Sequence, residues 1–462
     1  MGNMKSKETT ADGRSIYERE ALGSAGVRKH EDGTVRPSTA SSGRSGGASD
    51  GARRLPGGPV CRTGTHDGSI NCMALSEDGS LLVTGSEDCT ARLWSTKTDS
   101  TESLGALEGH TSYITCVTIM ADFVISGSAD QTIRKWDMVS RECVFIFEGH
   151  RGNINSVIPC GGDYILSSSY DKTARLWYFD PEGEGEESPC VRVFEGHQKP
   201  IYPILVVWTN LSDSSDSDSD SEGFGDCSER EEIIVTGSND TTAKTWSRDS
   251  QYSLQTFHGH EQPVSCMVAD EDSATLITAG LDRTIRIWTM RDAKCQRVLE
   301  GHSLSITCMQ LVGRLLYSGS TDRTARAWVT EFGECTRVFE PHSHSVTCIK
   351  VVKGVVFTGC NDCKARAFDA KSGALKRTFP GHTAGISCIQ YIDGKLFTGS
   401  TDGTLRVWNA TNITEDQPSP EEEAEEYDKE HMAEQQKRLN DVSRRLSRPY
   451  AGGDIDDGVS ME

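Results

Sequence analysis

The feature that most constrains the fold of this 462-residue chain is one sequence pattern that occurs eight times. Each copy opens with a histidine and carries an aspartate, which is followed six residues later by an aromatic residue. The aspartates are Asp88, Asp130, Asp171, Asp240, Asp282, Asp322, Asp362 and Asp402, and the aromatic residues are Trp94, Trp136, Trp177, Trp246, Trp288, Trp328, Phe368 and Trp408. Successive aromatic residues are 42, 41, 69, 42, 40, 40 and 40 positions apart. A period near 40 residues predicts a repeat protein whose copies are structural units packed on their neighbours.

Each copy contains short runs of β-branched and aromatic residues separated by turn residues, a pattern typical of antiparallel strands. In the copy that begins at Gly301, the expected strands are Ser305–Leu311, Leu315–Gly319, Thr324–Trp328 and Cys335–Phe339. With its Gly-His and Trp signatures, the pattern resembles the WD-repeat family, whose fold is a β-propeller. The resemblance implies an all-β protein with a closed propeller of eight blades over residues 58–409.

The two ends of the propeller region are expected to meet. The last copy runs into polar residues after Trp408 and lacks a fourth strand, whereas residues 59–62 stand where the other copies place that strand. We therefore predict that residues 59–62 pair with the last blade, which closes the ring and removes exposed strand edges.

The segments on either side of the propeller differ from it in composition. Residues 1–57 are rich in Gly, Ser, Arg and Thr and hold few large apolar side chains, so we expect this segment to be disordered. Residues 410–462 form a tail in which a cluster of glutamates precedes a cluster of lysines and arginines. That order of charge suits the helix dipole and predicts one surface helix in the tail.

The resemblance also implies that the repeated polar residues form buried hydrogen-bond chains of histidine, serine or threonine, aspartate and tryptophan. Two such sets are His302, Ser318, Asp322 and Trp328, and His110, Ser126, Asp130 and Trp136. Buried polar groups require partners, so each member would offset the burial cost of the next. Eight copies of a His-Ser-Asp set favour a structural role over a catalytic triad. Because Phe368 has no indole N–H, we expect the seventh blade to have an incomplete chain and to open more easily.

The wide spacing between Trp177 and Trp246 reflects an acidic insertion at residues 210–232. It interrupts the fourth blade after its inner strand, so we expect a mobile loop on the face opposite the Gly-His and Asp turns. Three of its serines have an acidic residue three positions later, a pattern that resembles casein kinase 2 sites: Ser215, Ser217 and Ser219. Phosphorylation would add further negative charge, and the alternative is a solvated spacer without a partner.

Two repeat columns are expected at the face that carries the turns, where propellers bind partners. One is the residue before each Asp and the other is the residue five positions after each His. Relatives that serve ubiquitin ligases through an F-box place arginines in these columns to bind phosphopeptides, and this chain has no arginine in either column. We therefore predict a neutral entrance with Tyr170, Tyr202 and Leu281 as anchors for a protein or peptide partner.

Composition excludes several classes of function. The chain has 69 acidic and 48 basic side chains, and a net charge of −21 argues against nucleic-acid binding. With no apolar run of 18 residues and no export signal, we expect a cytoplasmic protein that does not span a membrane. Six cysteines each follow a repeat histidine by six residues, and we expect them to be unpaired core residues: Cys72, Cys116, Cys266, Cys308, Cys348 and Cys388.

We expect no metal, cofactor or catalytic site. Cys360 and Cys363 form a single Cys-x-x-Cys pair, whereas a structural zinc requires four ligands. The sequence contains no Gly-rich phosphate loop after a strand. It also contains no nucleophile–base pair outside the repeat columns, so an enzyme is not expected.

Short motifs lie near both ends of the chain. Residues 1–7 fit the acceptor pattern for N-myristoylation on Gly2 and resemble the start of Src-type tyrosine kinases. One myristoyl chain supports only weak and reversible membrane association. In the tail, Ser447 lies in a basic sequence that resembles a kinase site and a 14-3-3 docking motif.

These observations favour a non-catalytic protein–protein interaction scaffold, tethered reversibly to membranes through Gly2. The main alternative is a substrate receptor that joins a cullin ligase through damaged-DNA-binding protein 1. Such receptors carry W-D-x-R after a blade, and Trp288-Thr289-Met290-Arg291 is the nearest match, with Thr for Asp. A G-protein β subunit would need an N-terminal coiled-coil helix, which the composition of residues 1–57 disfavours. The partner's identity and the oligomeric state stay open.

Overall fold

The computed structural model describes residues 61–97, 101–180, 188–209, 231–270 and 274–414. Within these ranges the chain forms eight antiparallel sheets of four strands each. The expected all-β propeller of eight blades is confirmed. The predictions for residues 1–57, for the interior of the acidic insertion and for a helix in the tail lie outside the described residues.

The first four blades follow the chain from the inner strand to the outer strand. Their strands are β2 (Ile70–Leu75), β3 (Leu81–Ser86), β4 (Thr90–Ser95) and β5 (Ser103–Glu108); β6 (Ile114–Met120), β7 (Phe123–Ser128), β8 (Ile133–Asp137) and β9 (Cys143–Phe147); β10 (Ile154–Cys160), β11 (Tyr164–Ser169), β12 (Ala174–Tyr178) and β13 (Cys190–Phe194); and β14 (Ile201–Thr209), β15 (Glu231–Ser238), β16 (Ala243–Ser247) and β17 (Ser253–Phe257).

Blades five to seven repeat this order, and blade eight takes its outer strand from the start of the described chain. The strands are β18 (Val264–Asp270), β19 (Thr275–Gly280), β20 (Ile285–Thr289) and β21 (Cys295–Leu299); β22 (Ile306–Val312), β23 (Leu315–Ser320), β24 (Ala325–Val329) and β25 (Glu334–Phe339); β26 (Val346–Val352), β27 (Val355–Cys360), β28 (Lys364–Asp369) and β29 (Leu375–Pro380); and β30 (Ile386–Ile392), β31 (Lys395–Ser400), β32 (Thr404–Asn409) and β1 (Cys61–Thr65). One short helix, α1 (Thr411–Thr414), follows β32.

The ring closes as predicted, by a strand from the start of the propeller. β1 pairs antiparallel with β32, and Cys61 stands opposite Val407. Within the described residues this strand runs from Cys61 to Thr65, so the pairing extends beyond the predicted end at residue 62. The Ser387 hydroxyl of blade eight donates to the Ile70 carbonyl of blade one at 2.5 Å. Closure therefore rests on the pairing of β1 with β32 and on a hydrogen bond between the inner strands of blades eight and one.

The core lies between neighbouring blades rather than inside any single one. One cluster combines Leu93 and Leu107 of blade one with Ile114, Val124 and Trp136 of blade two. Second strands are buried along their length because a neighbouring blade covers each face, as in β23, where all six residues are buried. A blade therefore depends on its neighbours for stability.

The repeat cysteines lie at these contacts between blades. A Cβ on Gly319 would stand 2.7 Å from the Cys308 sulfur and 2.8 Å from Val346 of the next blade, so this close approach requires glycine. Burial raises the pKa of the Cys308 thiol to about 11, which keeps it protonated. All six repeat cysteines are unpaired and half-buried.

Candidate protein-interaction face

The top face is defined by two sets of turns. The eight His turns, six of which carry the Gly-His pair, lie between the outer strand of one blade and the inner strand of the next. The eight Asp turns lie between the second and third strands of each blade. In every blade but the seventh, both turns rest on the predicted hydrogen-bond chain, so the turns are positioned from the inside of the blade.

Seven blades contain the complete chain, and all of its members belong to the described residues. The histidine Nδ1 lies 2.7–3.1 Å from the aspartate. The histidine Nε2 lies 2.7–2.9 Å from the serine or threonine hydroxyl. The tryptophan Nε1 donates to that same hydroxyl at 2.7–3.0 Å. The sets centred on His302 and His110 adopt this geometry.

The direction of each hydrogen bond follows from what each group can do. An indole N–H can only donate, so the hydroxyl accepts from the tryptophan and uses its own proton to donate to the histidine Nε2. An ionised carboxylate can only accept, so the aspartate accepts from Nδ1–H of a neutral histidine. Burial alone would raise the pKa of Asp282, but the hydrogen bonds from the His260 side chain and the Thr284 backbone N–H lower it to about 2. Burial lowers the pKa of His150, in opposition to Asp171.

The buried position of the serine indicates that the hydrogen-bond chain has a structural role rather than a catalytic one. The Ser318 hydroxyl is completely buried and is engaged by both His302 and Trp328. A catalytic serine must present its oxygen to a substrate, and this one faces the interior of a blade. The repeated His-Ser-Asp set therefore positions the turns.

Blade seven departs from the other blades. Arg366 is 6% exposed and donates to His342 Nδ1 at 3.0 Å and to Asp362 at 2.6 Å. His342 Nε2 lies 3.4 Å from the Thr358 hydroxyl. Phe368 takes the place of tryptophan, so the predicted incomplete chain is confirmed, but the insertion of an arginine was not foreseen. Burial and the charge of Arg366 lower the pKa of His342 to about 4.

The position of the arginine in blade seven has a steric reason. In other blades the equivalent arginine lies over the tryptophan, 5.8–5.9 Å from the ring centroid, in Arg134, Arg175, Arg286 and Arg326. A Cβ on Gly301 would stand 2.8 Å from Nη1 of Arg326. Blade seven has Pro341 at that position. The proline ring fills the space, and the guanidinium turns inward beside the smaller Phe368.

His342, Cys360 and Asp362 present potential ligand atoms within 4.8 Å of one another. These residues do not fit a metal ion, because the Arg366 guanidinium already binds two of them as a cation. Burial raises the pKa of the Cys360 thiol to about 11. That sulfur donates to the His344 carbonyl and accepts the Asp362 backbone N–H, as a turn residue would.

The column five residues after each histidine has a second role. In six blades its side chain donates to a carbonyl of the next inner strand, and these residues are Asn71, Asn155, Ser265, Thr307, Thr347 and Ser387. These hydrogen bonds join the inner strands of neighbouring blades around the centre of the ring. Most of this column is therefore engaged by the ring itself.

The three predicted anchors lie on successive blades of the top face. Tyr170, in the Asp turn of blade three, is 39% exposed. Tyr202 on β14 and Leu281 in the Asp turn of blade five are half-buried. The Leu281 carbonyl accepts from Ser305 of blade six at 3.4 Å. The Gly-His turn of blade six adds Leu304, which is 52% exposed. Sequence reasoning missed Leu304 because it lies two residues after the histidine, outside both columns.

Other predicted sites have different outcomes. Gly2, Ser215, Ser217, Ser219 and Ser447 lie outside the described residues. In the W-D-x-R-like stretch, Trp288 and Met290 are buried in the core and Arg291 is exposed. Among the described residues, no helix is long and apolar enough to cross a membrane.

The description of one protein family fits this geometry. The family model "WD domain, G-beta repeat" matches residues 57–95, 101–137, 141–178, 251–289, 293–328, 333–369 and 373–409. The chain belongs to the WD-repeat family. The matched segments pass over blade four, where the chain of His197, Thr236, Asp240 and Trp246 identifies an eighth repeat.

Individual WD-repeat relatives match parts of the propeller. F-box/WD repeat-containing protein sel-10 of Caenorhabditis elegans is 30% identical over 109 residues, which are 23% of this chain and 19% of the relative. Nuclear distribution protein nudF of Aspergillus niger is 27% identical over 210 residues, 38% of this chain and 45% of the relative. The chain thus spans less than half the length of either relative.

A solved propeller supports the fold. The WD40 β-propeller domain of Doa1 superposes with a TM-score of 0.50 and 19% identity, and the match covers 76% of this chain and 95% of that domain. At this identity the likeness concerns the fold alone.

Proposed function

We propose that this WD-repeat protein is a non-catalytic cytoplasmic adaptor that binds a segment of another protein on its top face, centred on blades three to five. The observation that carries the proposal is the half-exposed side chain of Tyr170, flanked along the ring by Tyr202 and Leu281. Large side chains of this kind concentrate binding energy in protein interfaces. The hydrogen-bond chains beneath them are satisfied internally, so this face is preorganised for binding.

The chemistry of these turns favours an uncharged, partly apolar segment. Phosphate recognition relies on arginine forks, and neither the residue before each Asp nor the residue five after each His is an arginine. Tyr170, Tyr202 and Leu281 instead offer apolar contact.

The test compares affinity captures of wild type, a Tyr170→Ser/Leu281→Ser double variant and a Tyr252→Ser control, quantified by mass spectrometry. Tyr252 is 72% exposed but lies in the turn between β16 and β17, on the opposite face. We expect a partner that the double variant loses at least tenfold and the control retains. Equal capture by all three proteins would contradict the proposed site.

A second candidate is a substrate receptor of a cullin-type ubiquitin ligase. It is favoured by the names of two relatives, the F-box protein sel-10 and a probable SCF subunit, sconB of Talaromyces stipitatus. Thr289 stands where the W-D-x-R motif has aspartate, which weighs against this candidate. Capture of damaged-DNA-binding protein 1 that is abolished by Arg291→Glu would favour the receptor over the adaptor.

We also propose that Gly2 is myristoylated and that the adaptor associates reversibly with membranes. The support is the acceptor pattern at residues 1–7. The expected result is an intact mass raised by about 210 Da and a membrane fraction that Gly2→Ala abolishes. If the terminus is unmodified and all of the protein stays in the supernatant after membrane fractionation, the lipid-anchor proposal is contradicted. The top-face proposal would remain intact.

A further inference from the structure

The outer rim of the propeller carries eight strands with one unpaired edge each among the described residues: β1, β5, β9, β13, β17, β21, β25 and β29. Such an edge presents backbone N–H and C=O groups that can template a further strand. Charged side chains on an edge strand oppose that pairing. The charges on the eight outer strands therefore decide which of them can accept a partner.

Four outer strands carry an arginine at one shared position. In each of them the arginine lies two residues before the last buried apolar residue of the strand. These residues are Arg192, Arg297, Arg337 and Arg377. The Arg337 guanidinium, for example, donates to the Thr336 carbonyl at 2.7 Å and so keeps its charge beside its own strand. At these blades the rim is guarded against strand addition.

β9 of blade two lacks this protection. Its sequence is Cys-Val-Phe-Ile-Phe, and Phe145 occupies the arginine position. Phe145 packs on Phe147 with ring centroids 4.7 Å apart, facing the core side. On the other side Val144 is 50% exposed and Ile146 is 38% exposed. β9 therefore combines an unpaired backbone edge with an apolar outward row and no charge.

The flanks of β9 are acidic. Glu142 precedes the strand and Glu148 follows it, and both are exposed. Arg141, the nearest cation in the sequence, donates to the Leu104 carbonyl of blade one at 2.7 Å. Its guanidinium is thus directed toward the neighbouring blade. An extended segment beside β9 would meet an apolar centre with a carboxylate at each end.

We propose that the β9 edge binds an extended segment of another protein by strand addition, and that this segment has β-branched or apolar central residues and basic residues at its ends. Backbone hydrogen bonds would supply affinity, and the alternate side chains beside Val144 and Ile146 would supply specificity. A second copy of this chain fits less well. Antiparallel self-pairing centred on Phe145 would place Glu142 opposite Glu148, and both copies carry a net charge of −21.

This surface lies on the rim and is independent of the top face. The probe is a fluorescein-labelled peptide with a Val-Thr-Val-Thr-Val core and lysine at each end, titrated against the full chain by fluorescence anisotropy. Ile146→Lys is the test variant, and Val298→Lys on β21 is its control. Both residues directly precede the last residue of an outer strand, and they are 38% and 42% exposed. Thermal melting confirms that both variants fold.

We expect Ile146→Lys to weaken peptide binding at least tenfold and Val298→Lys to change it less than twofold. A peptide with glutamate ends should bind at least tenfold more weakly than the lysine peptide. Hydrogen exchange should slow at β9 amides, and not at β21 amides, when the lysine peptide is added. Binding that is equal in the two variants, or exchange unchanged at β9, would overturn the proposal. Dimerisation of wild type that Ile146→Lys abolishes would overturn it in favour of self-pairing.

Discussion

At the scale of single residues, the hydroxyl on the second strand of a blade is the most connected group in the repeat. The Ser318 oxygen accepts from Trp328 and donates to His302, and all three side chains are buried. A group with two buried partners stabilises more than one hydrogen bond, because its removal leaves both partners unsatisfied.

Ser318→Ala should therefore lower the free energy of unfolding by about 2–4 kcal/mol, since two buried donors or acceptors each lose a partner. Ser318→Thr is the matched control, because threonine serves the same role in blades one, four, five and eight. It should cost less than about 1 kcal/mol. Urea unfolding followed by tryptophan fluorescence measures both, and equal losses in the two variants would contradict the assignment.

His342 should make stability depend on pH. Its pKa is lowered from 6.5 to about 4 in the folded protein, so the folded state resists a proton that the unfolded state accepts. The stabilising contribution is complete above pH 6.5 and is lost as pH falls toward 4. Because one pKa unit corresponds to about 1.4 kcal/mol, this residue accounts for about 3 kcal/mol.

The measurement is the free energy of unfolding from pH 7 to pH 5, above the range in which protonation of the aspartates of the chains lowers stability. In His342→Gln the decline over this interval should be smaller than in wild type, while His150 and His66, whose pKa values burial also lowers, continue to contribute. Parallel curves for wild type and variant would contradict the role of His342.

At the scale of elements, blade four shows how a long insertion is accommodated. Pro203 lies in β14 where the register with β15 shifts between Ile201 and Ile204, so its missing N–H falls at a bulge. The two strands remain paired as far as Thr209 and Glu231. The insertion was predicted after the inner strand of this blade, and the positions of β14 and β15 confirm that place. Its predicted end at residue 232 was wrong, because β15 already begins at Glu231 and pairs with Thr209.

Replacing residues 211–229 by a two-residue Asn-Gly turn should leave the melting temperature within about 2 °C, because the paired ends at Thr209 and Glu231 suit a short hairpin connection. Differential scanning calorimetry of the deletion variant and wild type checks this. A loss of more than about 5 °C would mean that the insertion packs on the propeller.

At the scale of the whole molecule, the ring depends on β1. This strand comes from the beginning of the described chain and completes the blade formed by β30, β31 and β32. Without it β32 would become an unprotected edge, and a closed propeller would become an open array.

A chain that starts at residue 66 should therefore melt at least about 5 °C lower than one that starts at residue 58 and should aggregate when concentrated, because it lacks β1. Calorimetry and light scattering on the two truncated proteins separate these effects. Similar melting and solubility would show that closure by β1 contributes little.

The blade count, the blade order, the closing strand and seven of the eight hydrogen-bond chains could be read from the amino-acid sequence. They depend on residues that recur at a fixed spacing, and hydrogen-bonding groups such as His302, Ser318 and Trp328 have few other ways to be satisfied once buried.

Packing between elements decided the rest. Arg366 turns inward because Pro341 fills the space that an arginine occupies elsewhere, and residues such as Thr307 bond to the next blade because of how close the inner strands lie. The exposure of Ile146 likewise follows from its direction on an outer strand. Each of these features depends on which atoms are neighbours in space. The spacing of residues along the chain does not specify those neighbours.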